Sequence, residues 1–313
     1  VAVAISAIKQ GNDAFPAQFA LTSSQIASFE RQGFLALDQV TSAGDLAAIR
    51  GTLENLFENR SGFAEGAFFD FAGARDQDGI FTLPQLLDPR SFAPDLLKSE
   101  FYHNAMAIAR QLLGPEATFA ADHALVKPAL IGCPTPWHQD DAFQDSGVVR
   151  DEISIWMPLQ DVDLVNGCMS FIPGTRDADV FEHRSMNGDS RIHGLECISG
   201  FDPETAVACP IPAGGCTIHT SRTVHGAGRN LSPHPRFAYV LIFNAPPRVA
   251  LVSQPRPWLI GKVTSRMQRR RNWMRHGGLL IHSWRRLKQM RQIGIREMSV
   301  RVLWKTRKLF GHV

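Results

Sequence analysis

No CxxC pair occurs among the five cysteines, Cys133, Cys168, Cys197, Cys209 and Cys216. An odd number without paired spacing argues against a disulfide framework and a cysteine-built zinc site, and it fits a reducing, cytoplasmic compartment. No stretch of about 18 apolar residues is present, so no membrane span is expected. The opening Val1-Ala2-Val3-Ala4-Ile5 has no basic residues ahead of it and is too short for a secretory signal. Acid is almost missing from the C-terminal part, where from Arg248 onward Glu297 alone faces 17 Lys and Arg. The other 16 basic and 29 acidic residues give positions 1–247 the opposite sign, so the net charge of +3 conceals an acidic body and a basic tail. Pro246-Pro247 mark the boundary between 1–247 and 248–313.

The body has the apolar content, 44% over the whole chain, of a protein able to bury a sizeable core. Leu21-Thr22-Ser23-Ser24 offers caps for a helix over 25–32, closed by Gly33 and followed by the short strand Phe34-Leu35-Ala36-Leu37. Ser42 caps a second helix with Leu46, Ile49, Leu53 and Leu56 on one face. Residues 60–95 are rich in Gly, Asp, Pro and Phe, and Phe63, Phe68, Phe69 and Phe71 either line an apolar pocket or pack under a loop. A third helix is expected over 93–113, stopped by Gly114-Pro115. Beyond it the pattern turns to short strands at 124–127, 152–159, 168–172, 215–220 and 236–244, with Asn166-Gly167 and Pro173-Gly174 as turns. The polar stretch 175–204 reads as an excursion over a barrel mouth. The fold expected is mainly β with flanking helices: a double-stranded β-helix, or jelly roll, with the N-terminal helices on one sheet.

Trp137-His138-Gln139-Asp140 is the first stretch that carries chemistry. In an extended segment His138 and Asp140 point to the same side. An imidazole and a carboxylate converging there are two members of a 2-His-1-carboxylate triad, the set that holds non-haem Fe(II) with one face open. His225, in Val224-His225-Gly226-Ala227-Gly228-Arg229-Asn230, is placed to supply the third ligand from the facing sheet. Arg236 follows by 11 positions at the head of an apolar strand, so a hairpin would carry it deep into the barrel. A buried Arg needs an anion and suits a carboxylate. A dicarboxylate that chelates the metal and meets Arg236 satisfies both demands, and 2-oxoglutarate is such a molecule. His219 reads as a core group behind the ligands, His183 and His193 as solvated, and Asn230 as the residue that fixes the turn after His225.

Over about 21–244 the chain resembles the phytanoyl-CoA dioxygenase family of Fe(II)/2-oxoglutarate-dependent oxygenases. The likeness rests on the helix–Gly–strand opening, Lys127, Trp137-His138-Gln139-Asp140, Trp156, Asn166-Gly167-Cys168, Ile172-Pro173-Gly174-Thr175, His225-Gly226-x-Gly228-x-Asn230 and Arg236. It implies iron on His138, Asp140 and His225, with 2-oxoglutarate on Arg236. Lys127 and Trp156 match positions that touch the co-substrate in some members; a lysine that is solvated or stands behind the site, and a packing tryptophan, are the alternatives. Ala227 stands where many members have a Ser that bonds the co-substrate. Related halogenases have a small residue at the carboxylate position, so Asp140 implies oxygen insertion. The activity implied is hydroxylation of a small or lipid-like organic molecule, using O2 and releasing succinate and CO2. Desaturation, epoxidation or cyclisation by the same chemistry, and a non-catalytic jelly-roll binding module, are the alternatives.

The tail lies outside the resemblance. It carries Trp258, Trp273, Trp284 and Trp304 with the clusters Arg269-Arg270-Arg271 and Arg285-Arg286-Leu287-Lys288, and Leu280, Trp284 and Leu287 have helical spacing, as do Ile295, Met298 and Val302. An anchor on the anionic inner face of a membrane, with a lipid-linked substrate, is one reading. A helix docked on the acidic body or on a second subunit is another, and nucleic-acid binding is the weakest.

Overall fold

The computed structural model describes residues 19–74, 80–144, 148–149, 151–246, 248–249 and 255–278. Helix α1 (Ser23–Gln32) starts at Thr22, whose hydroxyl accepts the Gln25 amide while the Gln25 side chain accepts the Thr22 amide, a reciprocal cap. Gly33 ends it in the left-handed region and the chain runs directly into β1 (Phe34–Leu37). Ser42 caps α2 (Ala43–Glu58), which buries Ile49, Leu53 and Leu56. Strands β2 (Phe68–Asp70) and β3 (Pro84–Leu87) pair antiparallel. The third helix is shorter than expected: a 3-10 turn (Pro94–Lys98) comes first, and α3 is Glu100–Leu113. Ser99 breaks the run because its backbone is extended and its hydroxyl accepts the Tyr102 amide.

The strands that follow are β4 (Thr118–Lys127), β5 (Thr135–His138), β6 (Glu152–Pro158), β7 (Met169–Phe171), β8 (Val207–Cys209), β9 (Cys216–Thr220), β10 (His225–Ala227) and β11 (Arg236–Asn244). The larger sheet has the order β1-β9-β6-β11-β4-β3-β2 and the smaller β8-β7-β10-β5, with every pairing antiparallel. This is the expected jelly roll. The central strands are buried on both faces, so β6 is buried at all seven positions. Period-2 alternation decides what each face carries. Phe237, Tyr239, Leu241 and Phe243 of β11, with Ile153, Ile155 and Met157 of β6, join the helices in one core. The opposite set (Arg236, Val240, Ile242, Ser154, Trp156 and His219 of β9) faces a cavity between the sheets.

The first part of the basic tail lies on this body. Helix α4 (Ser265–Trp273) follows a turn at Pro257–Leu259, and Arg269 donates from Nε to Phe63 O at 2.8 Å and from Nη2 to Phe68 O at 2.7 Å. The spacing patterns at Leu280, Trp284 and Leu287 and at Ile295, Met298 and Val302 lie outside the described residues. Among the described residues no helix is long and apolar enough to cross a membrane.

Candidate metal centre and its pocket

His138 closes β5 and His225 opens β10, and the two are directly opposed across the antiparallel pair. Their ring centroids are 4.2 Å apart. Each ring donates Nδ1–H to a carbonyl two residues upstream, His138 to Pro136 O at 2.8 Å and His225 to Thr223 O at 2.9 Å. These bonds select the tautomer that leaves both Nε2 atoms bare for a metal. Asp140 follows the extended Gln139 at the start of a 3-10 turn, Asp140–Phe143. Its Oδ1 lies 3.6 Å from His138 Nε2 and 3.7 Å from His225 Nε2. The other oxygen accepts the Ser154 hydroxyl at 2.9 Å and lies 3.4 Å from His219 Nε2.

The three donor atoms lie within 4.8 Å of one another, and bonds of about 2 Å to a single ion would draw them closer together. Burial alone would raise the Asp140 carboxyl, but the imidazoles of His225, His138 and His219 around it override burial and hold the group well below the usual carboxylate range. Burial, with His219 and His138 alongside, pushes His225 well below the usual imidazole range. An ionised carboxylate and a neutral imidazole are the protonation states a metal requires. Two imidazoles and one carboxylate on one side of an open cavity fit Fe(II).

Arg236 shares that cavity, whose volume is about 410 Å³. It is 1% exposed, and its Nε and Nη1 have no hydrogen-bond partner. Burial pushes its pKa down to about 9 and Trp156 lies beneath it, the ring centroid 5.2 Å from Cζ. A buried guanidinium with unspent donors calls for an anion, and the far carboxylate of 2-oxoglutarate answers it.

The family model for phytanoyl-CoA dioxygenase (PhyH) matches residues 29–238. The chain belongs to that family. Ectoine dioxygenase of Halomonas elongata is 26% identical over 255 residues, covering 72% of this chain and 70% of its own. Phytanoyl-CoA dioxygenase domain-containing protein 1 of Bos taurus is 24% identical over 277 residues, 76% of this chain and 94% of that one. The crystal structure of EvdO2 from Micromonospora carbonacea var. aurantiaca in complex with 2-oxoglutarate is 35% identical, with a TM-score of 0.67 over 78% of this chain and 98% of the other. The chain is thus an Fe(II)/2-oxoglutarate-dependent dioxygenase, and the triad and Arg236 are the groups that fit its cofactors.

The other sequence candidates fall in different places. Trp156 lines the cavity as the wall under Arg236. Lys127 does not line it, and the expected contact with 2-oxoglutarate is not what this geometry provides. Its Nζ donates to Cys133 O and Gly228 O at 2.7 Å each and to Ala227 O at 3.4 Å, which spends all three protons on the backbone around β10. Burial and the nearby Arg236 push this ammonium well below its usual range while the three carbonyls hold its protons. Asn230 fixes the turn as expected, donating to Lys127 O and His234 O and accepting the Ser232 amide. The Phe cluster divides: Phe68 joins the core, Phe63 packs against it, and Phe71 lines the pocket.

Three histidines were not legible as they stand. His183 is buried, not solvated: its Nε2 accepts the Gln139 amide at 3.1 Å, next to the ligands, and burial lowers its pKa to about 4. His193 lines the cavity and packs against Phe69, Phe71 and Phe143, and burial lowers it to about 3. His123 lines the cavity from β4, where strand alternation could have revealed it. Leu259, Lys262, Arg266 and Met267 of the basic segment also line the cavity, and no local signal marks them for that place.

Proposed function

We propose that this oxygenase hydroxylates an unactivated C–H bond of a small or lipid-like organic molecule. The observation that carries the reading is Asp140 completing the triad at one end of a cavity whose walls are otherwise largely apolar. A carboxylate in the third place favours oxygen insertion over halide transfer. Bound Fe(II) and 2-oxoglutarate supply the oxidising chemistry: one oxygen atom of O2 goes to the substrate and the other to the succinate formed with loss of CO2. The chain supplies the rest. His138 and His225 present neutral nitrogens, and Ser154 and His219 brace Asp140. Arg236 over Trp156 anchors the far carboxylate, while Phe71, Phe143 and Leu87 keep water from the substrate side.

The test is substrate-stimulated succinate release under 18O2 with a panel of alkyl acids, alcohols and lipids. The reading expects a product enlarged by one labelled oxygen. A product that loses two hydrogens and gains no oxygen would replace hydroxylation with desaturation.

A further inference from the structure

We propose that Arg266 and Lys262, carried by the C-terminal segment, form a subsite for an anionic group, a carboxylate or a phosphate monoester, on the organic substrate. The proposal deepens the oxygenase reading above and rests on it. Residues 255–278 close the cavity with Leu259, Lys262, Arg266 and Met267 in its lining. The segment is pinned at several points besides the Arg269 bonds. Trp258 Nε1 donates to Ala142 O at 2.9 Å, and Lys262 Nζ donates to Ser185 Oγ at 2.8 Å and to Ile192 O. Arg266 Nε donates to Gly66 O at 2.9 Å, and its guanidinium lies 4.9 Å from the centroid of the Phe69 ring. The roof is therefore a built surface with both cations held in place.

Neither cation has a carboxylate at ion-pair distance among the described residues. The acid that acts on Lys262 is Asp189, which is already chelated by Arg191. Around Arg266, Arg270 and Arg269 add positive potential, and Asp88 opposes them more weakly. Burial lowers Lys262 to about 8 and Arg266 to about 10, so both stay charged at neutral pH. The charges lining the cavity are Asp140 and Glu152 against Arg236, Lys262 and Arg266. With a divalent metal and a dianionic co-substrate in place, those two cancel, and Asp140 and Arg236 offset each other. Glu152, which accepts Gln144 at 2.9 Å, then stands against two cations. The substrate side is left with one positive charge in a largely apolar chamber, where a charge-assisted hydrogen bond is worth most. Between the roof and the triad run Phe71, Phe143 and His193, a panel suited to the carbon part of an amphiphile.

Calorimetric titration of the full-length protein, held without oxygen and saturated with Fe(II) and 2-oxoglutarate, tests this with octanoate, octyl phosphate and 1-octanol as probes. Saturating 2-oxoglutarate occupies Arg236, so the anion preference reports the roof. At least one of the two anions is expected to bind about tenfold or more tighter than octanol, and which one does so identifies the group. Arg266→Gln and Lys262→Gln should each reduce that ratio, and Arg266→Lys should restore most of it. Equal binding of acid and alcohol, no binding of either anion, or a ratio unchanged in the Arg266→Gln/Lys262→Gln double variant would overturn the subsite. The visible band of the iron–2-oxoglutarate chelate, recorded on the same samples, separates the two failures. With the band present only the subsite falls, and with it absent the oxygenase reading falls too.

Discussion

Arg236 occupies a position that is costly for a cation, out of water with two nitrogens unpaired. Its free energy is recovered only when an anion arrives. Arg236→Met should therefore leave the ligand-free protein as stable as the wild type or more so, while 2-oxoglutarate affinity falls by about tenfold or more. Thermal melts with and without 2-oxoglutarate check both halves. Lys127 makes the contrasting case, because its protons are already spent on Cys133, Ala227 and Gly228 carbonyls. Lys127→Met should cost about 3 kcal/mol of stability by stranding buried acceptors. Co-substrate affinity in the surviving folded protein should change little, as calorimetry would show. His183 provides a pH prediction. Its folded pKa of about 4 lies below the ordinary 6.5, so between those values the unfolded chain binds a proton that the folded chain does not. The stability it contributes is complete above about 6.5 and is lost as pH falls towards 4. Denaturation from pH 7 to 4.5 should show a shallower decline in His183→Gln than in wild type.

Elements place these residues, and elements are also where sequence reading succeeds or stops. The triad was legible because His138 and Asp140 share a face by local geometry, and because His225 lies in a Gly-rich segment shortly before Arg236, which heads a strand that announces itself by its apolar run. Arg236–Asn244 and the Asn166-Gly167 turn stand where they were expected. Gly167 has φ 84°, and a Cβ there would come within 2.5 Å of Gly228 O, the carbonyl that Lys127 holds. Gly167→Ala should cost more than about 1 kcal/mol and weaken metal retention through the adjoining β10, measured by chemical denaturation and bound iron. What the sequence hid depends on contacts distant in the chain. Lys127 looks like a co-substrate ligand until the carbonyls around β10 are seen to surround it. His183 looks solvated within a polar stretch until Gln139, 44 positions away, is found beside it. The 3-10 turn ahead of α3 turned on a single hydroxyl, that of Ser99.

For the whole molecule, the charge asymmetry acquires a structural meaning. The basic segment after Pro246 does not only trail from an acidic body: part of it, 255–278, closes the same cavity that the jelly roll opens at the metal. The cavity is thus an assembly of the helix-backed sheet, the smaller sheet that brings His138 beside His225, and a late segment carrying cations. Deleting residues 255–313 should spare His138, Asp140, His225 and Arg236 yet widen the mouth. Such a protein is expected to retain 2-oxoglutarate binding while consuming 2-oxoglutarate without coupled oxidation of substrate, a ratio that paired succinate and product assays read.

The claim on which all this depends is that the triad and Arg236 hold iron and 2-oxoglutarate together. Anaerobic titration of the metal-free protein with Fe(II) and 2-oxoglutarate, followed by the weak visible charge-transfer band of the chelate, tests it most directly. A band that forms in the wild type, vanishes in Asp140→Ala and weakens in Arg236→Ala is the predicted result. Folded wild-type protein that gives no band, or an Asp140→Ala variant that keeps it, would contradict the account.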